Sequence, residues 1–163
     1  MLRLGLAVAA LTAALDQLGK FAVLRHFSEP GCGGHRAEVS SFLDLVVTCN
    51  RGVSFGLFNG DAGLNAVVFS LVAAFVVTIL VVWLWRVRTG FLGVAIGLVI
   101  GGAIGNVIDR LRLGGVVDFL YFHAGSWYWP AFNLADSAIC LGVAAMLIDG
   151  LFGRRPTGEA ESG

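Results

Sequence analysis

Charge is what this sequence has least of. Asp, Glu, Lys and Arg make up 13% of its 163 residues, the two signs cancel, and 57% are hydrophobic. With a mean hydropathy of +0.83, the chain lacks the polar surface of an ordinary soluble domain. A net charge of zero leaves no electrostatic footprint for nucleic acid or a steered partner. Cysteine is scarce as well: Cys32, Cys49 and Cys140 form neither an even set nor a C-x-x-C pair. Cys140 falls in an apolar run and reads as a small core residue, while a Cys32–Cys49 pairing stays open. His26, His35 and His123 are scattered, none with a second His or Cys at ligand spacing, so no metal or other cofactor is expected.

Long hydrophobic runs are what remains. Residues 62–85 carry no charge, and neither do residues 91–108. About 20 residues at 1.5 Å each cross a ~30 Å hydrocarbon core. Two further runs are interrupted: residues 2–24 by Arg3, Asp16, Gln17 and Lys20, and residues 132–152 by Asn133, Asp136, Ser137 and Asp149. The expected fold class is therefore an all-α membrane protein of four transmembrane helices, about 2–24, 62–85, 91–110 and 132–152, in one domain over 1–153. The Gly/Glu/Ser-rich residues 154–163 read as a disordered cytoplasmic tail. The first run has the outline of a signal peptide, with a faint Thr12-Ala-Ala cleavage site. Asp16 and Lys20 lie four apart on one helical face with apolar sequence continuing beyond, which favours an uncleaved span.

Orientation follows from the hinge Arg86-Val-Arg-Thr-Gly90, whose two arginines in a short loop place it inside. Both termini are then cytoplasmic, and two segments lie together outside. The first, residues 27–60, begins loop-rich and turns β-like over Val39–Thr48, although Phe42-Leu43 and Leu45-Val46-Val47 break strict alternation. NRGVSFGLFNG then reads as a turn into a second strand, giving a small outer sheet about residues 39–60. The second, Leu111–Pro130, carries six aromatics suited to headgroup depth.

An ionised side chain at bilayer depth costs roughly 2.5–3.5 kcal/mol on insertion scales, so the polar groups beside these runs call for a use. Gly93, Gly97, Gly101 and Gly105 form a stripe for close helix approach. Asn106 and Arg110 lie four apart at the outer end of the third span, with Asp109 next to local partners Arg110 and Arg112. Asp118 sits in the apolar VVDFLYF, where a carboxyl pKa rises. Asn133 is an N-cap candidate with Asp136 at N3, and topology sets Asp136 on the same face as Asp118. Asp16 and Lys20 pair at i,i+4. Asn50 and Gly52 read as turn chemistry. Two carboxyl groups at one membrane depth fit a shared proton and an activated water, the chemistry of an aspartic protease.

DQLGK (Asp16–Lys20), NRGVSFG (Asn50–Gly56), GGAIGNVIDR (Gly101–Arg110), VVDF (Val116–Phe119) and FNLADS (Phe132–Ser137) occur in order. In that order and spacing the chain resembles the lipoprotein signal peptidases, the type II signal peptidases of bacteria, over residues 16–137. The resemblance implies a four-span inner-membrane aspartic endopeptidase with an extracytoplasmic β-cradle. It implies removal of the signal peptide from prolipoproteins, with the cut just before a diacylglyceryl-modified cysteine. Asp118 and Asp136 match the catalytic dyad. Asp16, Lys20, Asn50, Gly52, Asn106, Arg110, Asn133 and Ala135 match positions that support the site or contact the substrate, membrane lipid or a globomycin-type inhibitor. The site would lie near the outer leaflet. The loop Ser28–Ala37 falls outside the motifs, with no role assigned. A small transporter and a structural membrane subunit are the competing classes. A transporter would string its polar groups through the membrane instead of gathering them at one face.

Overall fold

A computed structural model of the chain describes residues 1–28, 33–52 and 62–152. Four helices, α1 (Leu2–His26), α2 (Ala62–Leu84), α3 (Gly90–Leu113) and α4 (Leu134–Phe152), are long and apolar enough to cross a membrane. Strands β1 (Arg36–Ser40), β2 (Leu43–Asn50), β3 (Val116–Ala124) and β4 (Trp127–Tyr128) form one antiparallel sheet in that spatial order. The expected class stands: a mostly helical four-span protein with a small sheet.

Helix α3 is the central post, with α1, α2 and α4 packed around it. Its glycines make this possible. A Cβ on Gly97 would come within 2.5 Å of the Gly5 carbonyl oxygen, and one on Gly101 within 2.5 Å of the Ala9 carbonyl oxygen. The predicted stripe is thus the seam with α1. Gly102, one position round, faces α4, where a Cβ would lie 2.5 Å from the Ala135 carbonyl oxygen. Leu80, Leu84, Val87, Ile96, Val99 and Ile100 fill the space between α2 and α3. The outward faces present Leu11, Leu18, Leu71, Phe75, Leu141 and other large apolar groups, which is stable when the surroundings are lipid.

Helix α3 runs three residues beyond the expected end at 110. Arg110 and Arg112 in its last turn suit the negative end of the helix dipole. Gly114, in the left-handed region at φ 72°, closes the helix by donating its N–H to the Arg110 carbonyl. The chain then enters β3 at once, within the segment read from sequence as an aromatic interfacial stretch.

Two other expectations are corrected. Val39–Thr48 is a hairpin, with Val39 in β1, a turn at Ser41-Phe42 and β2 from Leu43. The break at Phe42-Leu43 marks that turn, and the break at Leu45-Val46-Val47 coincides with a register shift between Leu45 and Thr48 against β3. The main partner of β2 is β3, more than sixty residues later. The proposed second strand after Gly52 and the tail at 154–163 lie outside the described residues, as do residues 29–32 of the unassigned loop, whose end enters β1 at Arg36. The sheet is tied by Asp44, 1% exposed, which contacts Arg36 and lies 3.2 Å from His123 Nε2. Burial opposes its ionisation, but hydrogen bonds from His123 and Arg36 outweigh that and hold the carboxyl below the usual range.

Close packing at the glycine seam predicts an asymmetric response to added side chains. Gly101→Leu forces α1 away from α3 and should lower stability by about 1–3 kcal/mol or more. Gly150→Ala, where a Cβ meets nothing within 4 Å, should leave stability unchanged or slightly raised. Thermal unfolding of the two purified variants in detergent compares them directly.

Candidate active site

Three helix ends and one strand converge where α3 gives way to β3, and buried polar side chains collect there: Asp16, Lys20, Asn106, Asp109, Asp118 and Asn133. In such surroundings each charge and amide needs a partner. The partners supply the geometry.

Lys20, on α1, is 3% exposed. Its ammonium contacts Asp16 Oδ2 at 2.8 Å and Asp109 Oδ2 at 2.7 Å, and donates to Asn106 Oδ1 at 3.3 Å. All three donors are used. The i,i+4 pair with Asp16 exists as expected, but it is half of a larger cluster. Asp109 does not pair with Arg110 or Arg112; its ionic partner is Lys20, eighty-nine positions earlier in the chain. Asp16 Oδ1 accepts the Ala135 N–H at 3.0 Å, taking one of the unpaired amides at the start of α4. A Cβ on Gly105 would fall 2.5 Å from Asp16 Oδ2, so glycine there makes room for the carboxylate.

Asn133 stands immediately before α4. Its Oδ1 accepts the Asp136 N–H at 2.9 Å, and Asp136 Oδ2 accepts the Asn133 N–H at 3.3 Å. This is a reciprocal cap, as the FNLAD spacing led one to expect. The Asn133 amide nitrogen meanwhile donates to Asp118 Oδ1 at 2.7 Å, with longer contacts to the Val117 carbonyl and Asn106 Oδ1, both 3.3 Å. A single asparagine therefore touches both aspartates. Asn106 completes the bridge, donating to Asp136 Oδ1 at 2.9 Å. Backbone bonds from the Phe119 and Leu120 N–H groups to the Phe132 carbonyl, at 3.0 and 2.8 Å, stitch β3 to the lead-in of α4 and hold this register.

Asp118 is 3% exposed. Its burial, with the Asp136 charge second, pushes its carboxyl up to about 7, against the hydrogen bonds of Asn133 and Asn50 and the charge of Lys20. Asp136 is half-buried and borders an apolar groove of about 430 Å³ lined by Trp129, Phe132, Ser137, Cys140 and Leu141. Asp118 is thus sealed in the protein, while Asp136 opens to an apolar groove.

Every site residue expected from sequence falls in or beside this cluster. Ala135 contributes its backbone N–H. Asn50 hydrogen-bonds Asp118 and also accepts the Gly52 N–H at 3.2 Å, so its turn role and its site role coexist. Arg110 is half-buried, with its guanidinium 5.6 Å from the Phe69 ring centre and a long bond to the Asn106 carbonyl, a packed position instead of a free interfacial anchor. Gln17 and Asp109 were not expected as part of the support, because their partners lie on other elements. Cys140 is exposed toward the groove, not in the core. Cys49 is disulfide-bonded; Cys32 lies outside the described residues.

A family model described as signal peptidase (SPase) II matches residues 8–152. A lipoprotein signal peptidase of Rhodopseudomonas palustris is 43% identical over 155 residues, 93% of this chain and 93% of that protein. One of Methylorubrum extorquens is 41% identical over 160 residues, 98% of this chain and 91% of that protein. A solved structure described as a bacterial membrane enzyme, determined in meso at 2.3 Å, superposes with a TM-score of 0.76 at 28% identity, covering 98% of this chain and 94% of its own.

Removing one partner of a buried ion cluster is costly, because the charges left behind are uncompensated. Lys20→Met strands Asp16 and Asp109, so a loss of about 3–5 kcal/mol is expected. Asp16→Asn keeps an oxygen for the Ala135 N–H and should lose less. Thermal melts in one detergent, read by intrinsic fluorescence, rank the two variants.

Proposed function

The chain belongs to the signal peptidase II family, a multi-pass bacterial inner-membrane protein, and from that premise we propose that it is an aspartic endopeptidase whose dyad is Asp118 and Asp136. Its substrate is a prolipoprotein, cut on the N-terminal side of a diacylglyceryl-modified cysteine. The observation that carries this reading is the bridge made by Asn133, which binds the Asp118 carboxyl through its side chain and the Asp136 carboxylate through its backbone N–H. Two like charges held this close resist joint ionisation, so the pair shares a proton.

Asp118 is the natural holder of that proton. It is the sealed member, and its carboxyl titrates near 7. Asp136 accepts two N–H donors and borders the open groove, which leaves it to act on the attacking water. Asp136 takes a proton from a water whose oxygen attacks the scissile carbonyl carbon, while Asp118 donates its proton to the carbonyl oxygen. A neutral tetrahedral diol results. In its collapse the C–N bond breaks, the proton on Asp136 passes to the leaving cysteine amine, and a diol hydroxyl returns a proton to Asp118. No metal or organic cofactor enters these steps.

Orientation fits the substrate. Arg3, Arg86 and Arg88 lie at the end of the bundle away from the sheet, so the positive-inside rule sets that end in the cytoplasm and the dyad near the outer leaflet, with both termini inside. There a substrate whose acyl chains stay in the bilayer can slide laterally into the groove beside Asp136, gaining affinity from apolar burial. The charged side chains buried among the described residues gather at one end of the helices, which argues against a transport pathway. A globomycin-type lipopeptide would occupy the same groove.

Cleavage of a diacylglyceryl-modified prolipopeptide by purified protein in detergent tests the assignment. Asp118→Asn and Asp136→Asn should each lower kcat by at least about 10³-fold without unfolding, and full activity in either overturns the dyad. The pH dependence has a definite sign. Asp118 acts as an acid, so the rate should fall as pH rises through about 7. A rate that instead rises through that range would make Asp118 the base.

A further inference from the structure

We propose that Asp109 is a positioning residue for the dyad: by holding the Val117 amide it fixes β3 so that Asp118 faces Asn133 and Asp136. This rests on the dyad reading above and adds to it a residue which touches neither the reacting atoms nor the groove.

Asp109 lies one turn before the end of α3 and is 3% exposed. Both carboxylate oxygens are engaged. Oδ2 receives the Lys20 ammonium at 2.7 Å and the Val117 N–H at 3.1 Å, and Oδ1 receives Gln17 Nε2 at 2.9 Å. Gln17 reaches on to the Gly105 carbonyl at 3.2 Å, so the side chain that holds Asp109 is itself braced on α3. With its oxygens filled and its place behind β3, Asp109 has no geometry for attacking water or a carbonyl.

What it does have is a grip on the residue preceding Asp118. The Val117 N–H goes to Asp109 and the Val117 carbonyl to Asn133. Both peptide groups of that residue are therefore held by site side chains, one on each flank of the strand's entry. The link between α3 and β3 passes through Gly114 in the left-handed region and Gly115, two residues with no side chain to hold anything in place, so they do not by themselves set where Asp118 lands. Pairing with β2 and the bonds to the Phe132 carbonyl set the strand's register, and Asp109 adds the tie on its α3 side. A displacement of about 1 Å in a catalytic group costs on the order of 10²-fold in rate, so a tie one residue away acts on the chemical step. Lys20, by neutralising Asp109, allows the tie to be a buried carboxylate, which is a stronger acceptor than a neutral amide.

The test uses the full-length protein in detergent, with kcat and KM measured separately on a diacylglyceryl-modified prolipopeptide for Asp109→Ala, Asp109→Asn and Asp118→Asn. Asp109→Asn keeps an oxygen for Val117 and should lose about 10-fold in kcat, and Asp109→Ala about 10²-fold, with KM within about twofold in both. Asp109→Asn should also move the alkaline limb of the pH–rate profile downward. More of the Lys20 charge then acts on Asp118, and that charge lowers the Asp118 carboxyl. A merely structural role would lower yield and melting temperature without moving that limb. Inactive Asp118→Asn beside Asp109 variants of unchanged kcat, or with only KM raised, overturns the positioning role and leaves the dyad standing. Active Asp118→Asn overturns the dyad itself. Should Asp109→Ala fail to fold, the kcat and pH limb of Asp109→Asn decide alone.

Discussion

The Lys20 ammonium is what lets carboxylates from two helices meet out of water. Two of them, Asp16 and Asp109, lie within 2.8 Å of its nitrogen, and Asn106 takes its third proton. Each of those groups then reaches another element: Asp16 to the first turn of α4, Asp109 to the start of β3, and Asn106 to Asp136. One buried cation on α1 thereby sets the positions of α3, α4 and the sheet around a common point. The glycine seam serves the same end, since only close contact of α1 with α3 brings Lys20 within reach of Asp109.

Capping and catalysis are often weighed as rival explanations of a polar residue at a helix start. Here they coincide. The reciprocal bonds of Asn133 and Asp136 close the N-terminus of α4, and the geometry they impose directs the Asp136 carboxylate toward the groove while the Asn133 amide turns to Asp118. The Ala135 amide of the same helix start goes to Asp16. On the proposed reading, the donors that a buried helix end requires are the same groups that hold a proton-sharing pair in register, so stability and chemistry draw on one set of bonds.

Much of this was legible in the residues, and the limits have physical causes. Uncharged runs declared α2 and α3, because lipid imposes a length and a polarity that few other environments do. Asn133 and Asp136 could be read as cap and N3 because capping is local. Strand β3 was missed since VVDFLYF is buried on both sides at its start and so has no period-2 alternation. Its partner β2 lies far off in sequence, where no short-range signal reaches. Asp109 is hidden from a local reading for the same reason: its neighbours in the chain are Arg110 and Arg112, but its partners in space are Lys20, Gln17 and Val117. The breaks in alternation at Phe42-Leu43 and Leu45-Val47 carried information of their own, as a turn and a bulge.

On the proposed reading a single proton is shared by Asp118 and Asp136 and rests on Asp118 near neutrality. Infrared difference spectroscopy of the purified protein, comparing spectra on either side of pH 7, reads that proton directly as a protonated carboxyl band. The band should be present below pH 7, lost above it, and missing from Asp118→Asn. A band that persists unchanged in Asp118→Asn, or no titrating carboxyl in that range, would contradict it.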